Sequence, residues 1–308
     1  MAADTAVTRA VWFEAARPRT LPASVSPVIV GTAASQRVVL PTAVSWVRFL
    51  LALGVALALQ VAVNYANDYF DGVRGVDTHD RAGPRRVVAA GLVPPDRMKA
   101  AIVVTLGLAG VLGFALAALA GWELLLVGLA AAAAAIGYSG GPRPYASAAL
   151  GEVFVFVFFG LVATAGSAYV QDERLTALPV IAGVAMGVLA SALLVVNNLR
   201  DIPTDAAAGK RTLAVRLGGA RTRHLYVGLL AVAFAVAGVM VGVAREGWLA
   251  LPLLSGPLFA RAVRTVRSAP PGPALIAALE RTAQAQLVFA ALLVVGLLLR
   301  DSAAGAVG

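Results

Sequence analysis

A chain of 308 residues with 60% hydrophobic and only 13% charged side chains holds half the roughly 25% charge of ordinary soluble domains, and its mean hydropathy of +0.84 excludes a pair of them. The net charge of +9 would suit a nucleic-acid binder, but the excess lies in short segments beside long uncharged runs; membrane topology explains it, and nucleic acid drops out as a partner. No cysteine is present, which removes disulfides, thiolate metal sites and cysteine nucleophiles together.

In chain order, uncharged runs cover 20–36, 49–67, 100–122, 124–142, 153–171, 175–199, 224–244, 247–260 and 282–299. A helix needs about 17–25 apolar residues to cross the hydrocarbon core, and all but the run 247–260 reach that length. That run holds Pro252 and Pro257. Adding Ala262 and Val263, with Arg261 snorkelling, extends it by a turn. The first run is broken by Pro22 and Pro27 and abuts Arg17 and Arg19, so a retained helix is expected rather than a signal peptide. Alternating barrel strands are missing, which leaves helices as the way to satisfy the backbone in lipid. The expected fold is therefore an all-α integral membrane bundle of nine transmembrane helices in one domain, 1–308.

Lys and Arg set the orientation. With the amino terminus in the cytoplasm and nine crossings, 20 of the 25 fall on the cytoplasmic side and 5 (Arg37, Arg48, Arg174, Arg245 and Arg300) on the other. That is the positive-inside pattern.

Two polar cytoplasmic segments stand out as caps, 68–99 and 200–223. Each opens with Asn and Asp where its helix leaves the membrane: Asn64, Asn67, Asp68 and Asp71, then Asn197, Asn198, Asp201 and Asp205. Asn64 and Asp68 match Asn197 and Asp201 at a constant offset, a pseudo-repeat with one acidic site per half. Helical spacing turns Asn64, Asp68 and Asp71 one way, and likewise Asn197, Asp201 and Asp205. Asp77, Asp80 and Asp96 add to the first segment and also suit plain solvated loop. Carboxylates crowded at a membrane boundary repel one another unless a cation sits between them, and hard oxygen donors suit Mg²⁺. Arg74, Arg81, Arg85 and Arg86 interleave with the first cluster; Arg200, Lys210, Arg211 and Arg216 follow in the second. Carboxylate-bound Mg²⁺ plus Lys and Arg is what a diphosphate demands.

Aromatic residues crowd the same ends: Tyr65, Tyr69, Phe70, Tyr138, Tyr145, then Phe154, Phe156, Phe158 and Phe159. Tyr69 and Tyr145 are the pocket candidates, able to hold an aryl substrate or face an allylic cation; the phenylalanines equally suit a lipid-facing surface. His79 and His224 have no metal-ligand companion. Glu152, a lone acid near the start of a helix, is either a site residue or an acid favoured by the helix dipole.

These residues resemble the UbiA-type aromatic prenyltransferases, through the Asn67-Asp68-Tyr69-Phe70-Asp71 block and the second acidic cluster. Further segments are similar to the branch that prenylates 1,4-dihydroxy-2-naphthoate in menaquinone biosynthesis. They are Ala16-Arg17-Pro18-Arg19-Thr20-Leu21-Pro22, Gly83-Pro84-Arg85-Arg86, Gly140-Gly141-Pro142-Arg143-Pro144-Tyr145 continuing to Leu150-Gly151-Glu152, and Asn197 through Arg211 to Gly218. The resemblance spans about residues 12–300. It implies nine helices around a central cavity, in a bacterial plasma membrane, with the site facing the cytoplasm. It further implies Mg²⁺ held by Asp68, Asp71, Asp201 and Asp205 with Asn67 and Asn197, and diphosphate oxygens clamped by Lys210, Arg143, Arg200 and Arg85. A polyprenyl diphosphate would then prenylate dihydroxynaphthoate, with decarboxylation to demethylmenaquinol. Where the wider family often carries one more Asp, this chain has Gly75, so Asp77 ranks below the other acids as a ligand. 4-Hydroxybenzoate, homogentisate or a phytyl-type reaction are the other acceptor chemistries. A cation-coupled transporter would set its acids near the bilayer midplane on broken helices instead.

Asp71→Asn and Asp201→Asn are each expected to abolish prenyl transfer while the protein still folds and inserts. Near-normal rates in membranes carrying wild-type amounts of either variant would reduce these residues to helix ends.

Overall fold

The computed structural model describes residues 7–36, 42–75 and 85–305, so Asp77, Asp80, His79 and Arg81 lie outside the described residues. Regular structure among the described residues is all helical. A short helix α1 (Arg9–Ala16) ends at Arg17, whose φ is 52°. A 3₁₀ turn (Pro18–Thr20) then leads into α2 (Pro22–Ala34), with Pro22 at its first position, where a missing N–H costs nothing.

Helix α3 (Ala43–Val73) and, later, α8 (Ala177–Ala207) each run 31 residues. At 1.5 Å per residue each is about 46 Å long, well beyond the ~30 Å hydrocarbon core. The overshoot carries both acidic clusters. Between them lie α4 (Pro95–Ala120), α5 (Leu124–Gly137), and a continuous rod made of α6 (Gly151–Val155), a π-helical segment (Phe156–Val162) and α7 (Ala163–Asp172). Helix α9 (Leu213–Ala244) bends at Gly218, where φ is 73°. A 3₁₀ segment (Gly247–Ser255), α10 (Gly256–Ser268) and α11 (Ile276–Gly305) complete the chain.

The two caps are less loop-like than their polarity suggests. Residues 200–207 are the last turns of α8 and 213–223 the first turns of α9, leaving a short connection between. The helix continues past Pro203, across which Thr204 Oγ1 donates to the Asp201 carbonyl at 3.0 Å. Asp96 lies exposed in the first turn of α4, where the helix dipole favours an acid. Among the described residues, 6 helices are long and apolar enough to cross a membrane, and α2 and α5 are shorter apolar helices. The remaining run, 247–260, is split between the 3₁₀ segment and α10, on which Arg261, Arg264 and Arg267 are exposed.

Helix α8 is the centre of the fold. Its apolar window is 72% buried, against 22–44% for the other five long spans, and it packs on α2, α7, α9, α11 and the π segment. Hydrophobic burial does not drive helices together inside lipid, so close backbone approach must. At the crossing of the π segment with α8, a Cβ on Gly160 would lie 2.3 Å from the Gly187 Cα. Only hydrogen fits there. At the other end of the bundle, Arg48 of α3 is buried and donates to the Gln171 carbonyl (3.2 Å), the Leu119 carbonyl and the Glu173 carboxylate (2.7 Å). A cation thus caps the carboxyl ends of α4 and α7.

Gly160→Val should lower the melting temperature of the detergent-solubilised protein by at least about 5 °C or abolish its monodisperse peak. Gly228→Ala on α9, where a Cβ meets nothing within 4 Å, should leave both unchanged. Equal stability of the two variants would refute the close crossing.

Candidate active site

A cavity of about 1040 Å³ runs between α3, α4, α5, the α6–α7 rod and α8. Its polar end takes Asn64, Asn67 and Asp71 from α3, at spacings of three and four that share one helix face. Asn197, Asn198, Arg200 and Asp205 reach it from α8, and Arg86 and Lys210 from the two connections. The two acidic exits therefore converge. Asp71 is the junction: Lys210 Nζ lies 3.3 Å and Arg86 Nη2 3.8 Å from its Oδ2, and Asp71 itself is buried.

Asp201 lies buried beside this end rather than in its lining. Arg200 grips it through Nε and Nη2, at 2.7 and 2.8 Å. Asp68 is fully buried and turned elsewhere: its Oδ1 accepts from the Val88 N–H at 2.8 Å and its Oδ2 from the Val87 N–H at 3.2 Å. The expectation that Asn64, Asp68 and Asp71 share the site face is thus met by Asn67 in place of Asp68. At 100° per residue, Asp68 lies about 40° past Asn64 and Asn67 about 60° on its other side. The cavity is on the Asn67 side, and Asp68 fastens the first cap.

The other predicted residues divide in the same way. Arg85 points outward to Glu14, at 2.8 Å, while its neighbour Arg86 turns in. Arg143 is exposed and lines no part of the cavity. Its loop is instead pinned by Arg74, which donates to the Ser139 carbonyl at 2.7 Å and to that of Gly141, and by a hydroxyl bond from Ser139 to Asn67 Oδ1. Tyr69 packs edge-on against Phe70 in a small core under Val87 and Val88.

Tyr145 does line the cavity. Its ring stacks on Phe154 at 3.9 Å, Phe154 continues to Phe158 at 6.2 Å, and Tyr138 stands edge-on to Tyr145 at 5.4 Å. The Tyr145 hydroxyl donates to the Ala134 carbonyl at 2.8 Å, and burial holds it above the usual phenol range, so it stays neutral. The sequence does not single out these phenylalanines, because one helix face cannot be told from another when all faces are apolar. Arg86 had a signal in the paired arginines of the first cap, and Asn198 in the doubled asparagine.

Beyond the aromatic wall the lining is mostly apolar, and the hydroxyls of Ser24 and Ser167 within it are bonded to the carbonyls of Leu21 and Ala163. It reaches Ala52 at the far end of α3, 19 residues from Asp71, or about 28 Å along the helix. Leu116 and Val170 close that end. Leu125 and Leu129 of α5 line the cavity and are 38% and 69% exposed.

Among the described residues no cluster of three or more acid or histidine groups is gathered on one point. Asp71 and Asp205, with the amide oxygens of Asn67 and Asn197, nevertheless offer oxygen donors alone around one cavity end. That set fits a hard divalent ion, since Mg²⁺ takes one or two carboxylates and completes its shell with water and substrate phosphate. Lys210, Arg86 and Arg200 beside it suit the phosphates.

The profile of the UbiA prenyltransferase family matches residues 24–279. A 1,4-dihydroxy-2-naphthoate octaprenyltransferase of Mycobacterium tuberculosis is 47% identical over 281 residues, 91% of this chain and 94% of the relative. A protein of the same description from Escherichia coli is 38% identical, over 95% of this chain and 96% of its own length. Among solved structures, a UbiA homolog from Archaeoglobus fulgidus bound to DMAPP and Mg²⁺ superposes with a TM-score of 0.61 at 15% identity, covering 92% of this chain and 98% of that one.

Asp68→Ala should cost about 3 kcal/mol of stability, as two buried backbone N–H groups lose a charged acceptor, and leave the Mg²⁺ concentration for half-maximal rate unchanged. A large rise in that concentration, measured in a residual-activity titration, would make Asp68 a ligand rather than a fastening.

Proposed function

The chain belongs to the UbiA prenyltransferase family, and from that premise we propose that it transfers a polyprenyl group from polyprenyl diphosphate to 1,4-dihydroxy-2-naphthoate. The products are CO₂, diphosphate and demethylmenaquinol. The observation that carries this reading is one cavity in three parts: a charged end around Asp71, an aromatic wall, and an apolar shaft about as long as the bilayer core is thick.

Each part has work in the reaction. The allylic C–O bond breaks and its electron pair leaves with the diphosphate, whose oxygens Lys210, Arg86 and Arg200 are placed to hold. Asp71 and Asp205, with Asn67 and Asn197, would hold Mg²⁺, which would supply positive charge where that negative charge collects. Asp201 would be available to this set only if Arg200 turned from it to phosphate, and Asp68 only if it released Val87 and Val88. The polyprenyl chain lies along the shaft and passes between α4 and α5 from the bilayer. Its allylic cation faces Tyr145, Phe154 and Phe158, whose π faces stabilise it and whose bulk excludes water. The ring carbon attacks, and the carboxylate departs as CO₂, returning its electron pair to the ring. Should the prenyl group enter at a neighbouring carbon, the proton displaced there replaces the lost carboxylate. Either way a prenyl cation takes the place of CO₂, and no net proton is released.

We further infer nine crossings with the amino terminus in the cytoplasm, which would put 20 of the 25 Lys and Arg on one side of the membrane. Arg86, Arg200 and Lys210 at the charged end of the cavity would belong to that side. On this topology the chain is a single domain of a bacterial plasma membrane, with its chemistry on the cytoplasmic side.

Purified protein given a polyprenyl diphosphate and dihydroxynaphthoate should release one CO₂ per quinol formed, stop on addition of EDTA and resume with Mg²⁺. 4-Hydroxybenzoate should show a kcat/KM lower by about 100-fold or more. Turnover of 4-hydroxybenzoate in preference to the naphthoate, or a rate indifferent to EDTA, would overturn the reading.

A further inference from the structure

Glu152 belongs to neither acidic cluster, yet it is buried on the first turn of α6. Its Oε1 accepts from Asn198 Nδ2 on α8 at 2.9 Å, and its backbone carbonyl accepts from Ser191 Oγ at 3.0 Å. Asn198 is equally buried, at 8% exposure, and lines the cavity. With Nδ2 the donor and Oε1 the acceptor, this contact sets how the Asn198 amide is turned. Its NH₂ goes to Glu152, and its Oδ1 is the free end. Among the described residues no group donates to that oxygen, which stays accessible. The place is informative. Asn198 follows Asn197 of the phosphate end, Leu194 of the cavity wall sits one helical turn before it, and the turn carrying Glu152 lies against the Tyr138 ring. A lone hydrogen-bond acceptor thus stands where the phosphate end meets the aromatic wall.

We propose that Asn198, its amide oriented by Glu152, accepts a hydrogen bond from a hydroxyl of the bound aryl acceptor and thereby sets which ring carbon meets the allylic carbon. The inference rests on the dihydroxynaphthoate reading above. Drawing the hydroxyl hydrogen towards the amide oxygen leaves more electron density on the ring, which favours attack. A neutral amide suffices because the exchange of CO₂ for a prenyl cation needs no net base. Asn198 touches the substrate; Glu152 is a positioning residue that acts through it.

The test compares the wild type with Asn198→Leu, Glu152→Leu and Glu152→Gln, each purified in detergent and shown to be monodisperse. KM is measured separately for dihydroxynaphthoate and for the polyprenyl diphosphate. Asn198→Leu should raise the naphthoate KM about tenfold, the loss of one hydrogen bond, and leave the diphosphate KM within about twofold. Glu152→Leu should move the same constant in the same direction. Glu152→Gln, whose carbonyl still accepts from Asn198, should restore it. A mono-methyl ether of the acceptor should cost the wild type the same factor and cost Asn198→Leu nothing more. An unchanged naphthoate KM in Asn198→Leu, equal shifts in both constants, or ether and variant effects that multiply would each overturn the inference while the wild type still prenylates the naphthoate. A wild type inactive on dihydroxynaphthoate would overturn the parent reading and this one together. Should Asn198→Leu not fold, the contrast between Glu152→Leu and Glu152→Gln decides: no difference between them overturns it.

Discussion

Asp71 cannot stand alone. Its carboxylate is buried where α3 leaves the hydrocarbon core, and it is balanced by Lys210 from beyond α8 and by Arg86 from the first cap. An uncompensated charge there would cost several kcal/mol, so the two halves of the chain are drawn together at this point. The balance is also temporary in kind. A buried ion pair contributes little net stability, and the same cations are the natural partners of a diphosphate. A ligand that supplies phosphate oxygens and a divalent ion can exchange partners with Asp71, Lys210 and Arg86 without leaving a charge unmatched.

Because α3 and α8 are longer than the membrane core is thick, this charged junction sits at the water side while the rest of each helix builds a wall. The wall must be thin in places and tight in others. Gly160 and Gly187 let the π segment lie against α8, and Arg48 ties the opposite ends of α3, α4 and α7. The shaft between these fastenings is lined by small and aliphatic side chains, which make no directional demand on a prenyl chain. Specific contacts are concentrated at the charged end, where a bond must break in a chosen place.

Polar groups along α3 show how closely function and scaffold are interleaved. Asn64 donates to the Ala16 carbonyl at 2.8 Å and to Thr20 Oγ1 at 3.1 Å, holding the amino-terminal segment over the cavity. Asn67 is held by Ser139, and Asp68 grips the first cap. Three neighbouring residues of one motif thus fasten three different segments, while Gln60, Asn64, Asn67 and Asp71 face the cavity and Asp68 does not.

The sequence by itself determined the solvent, the helical class and the chemistry of the charged end. Long uncharged runs admit few structures in lipid, and acids repeated at two helix exits beside Lys and Arg call for a cation and phosphate. Family resemblance, carried by whole segments, supplied the acceptor. Tertiary structure decided which side chains of each motif enter the cavity. A 100° difference in helical phase separates Asp68 from Asn67, the packing of α3 decides which of the two meets the cavity, and a turn of an irregular loop separates Arg85 from Arg86. It also showed the polar segments 200–207 and 213–223 to be helix, because polarity marks exposure to water but not a break in hydrogen bonding. The pairing of Glu152 with Asn198 joins residues on different helices, and no local pattern records which way a buried amide is turned.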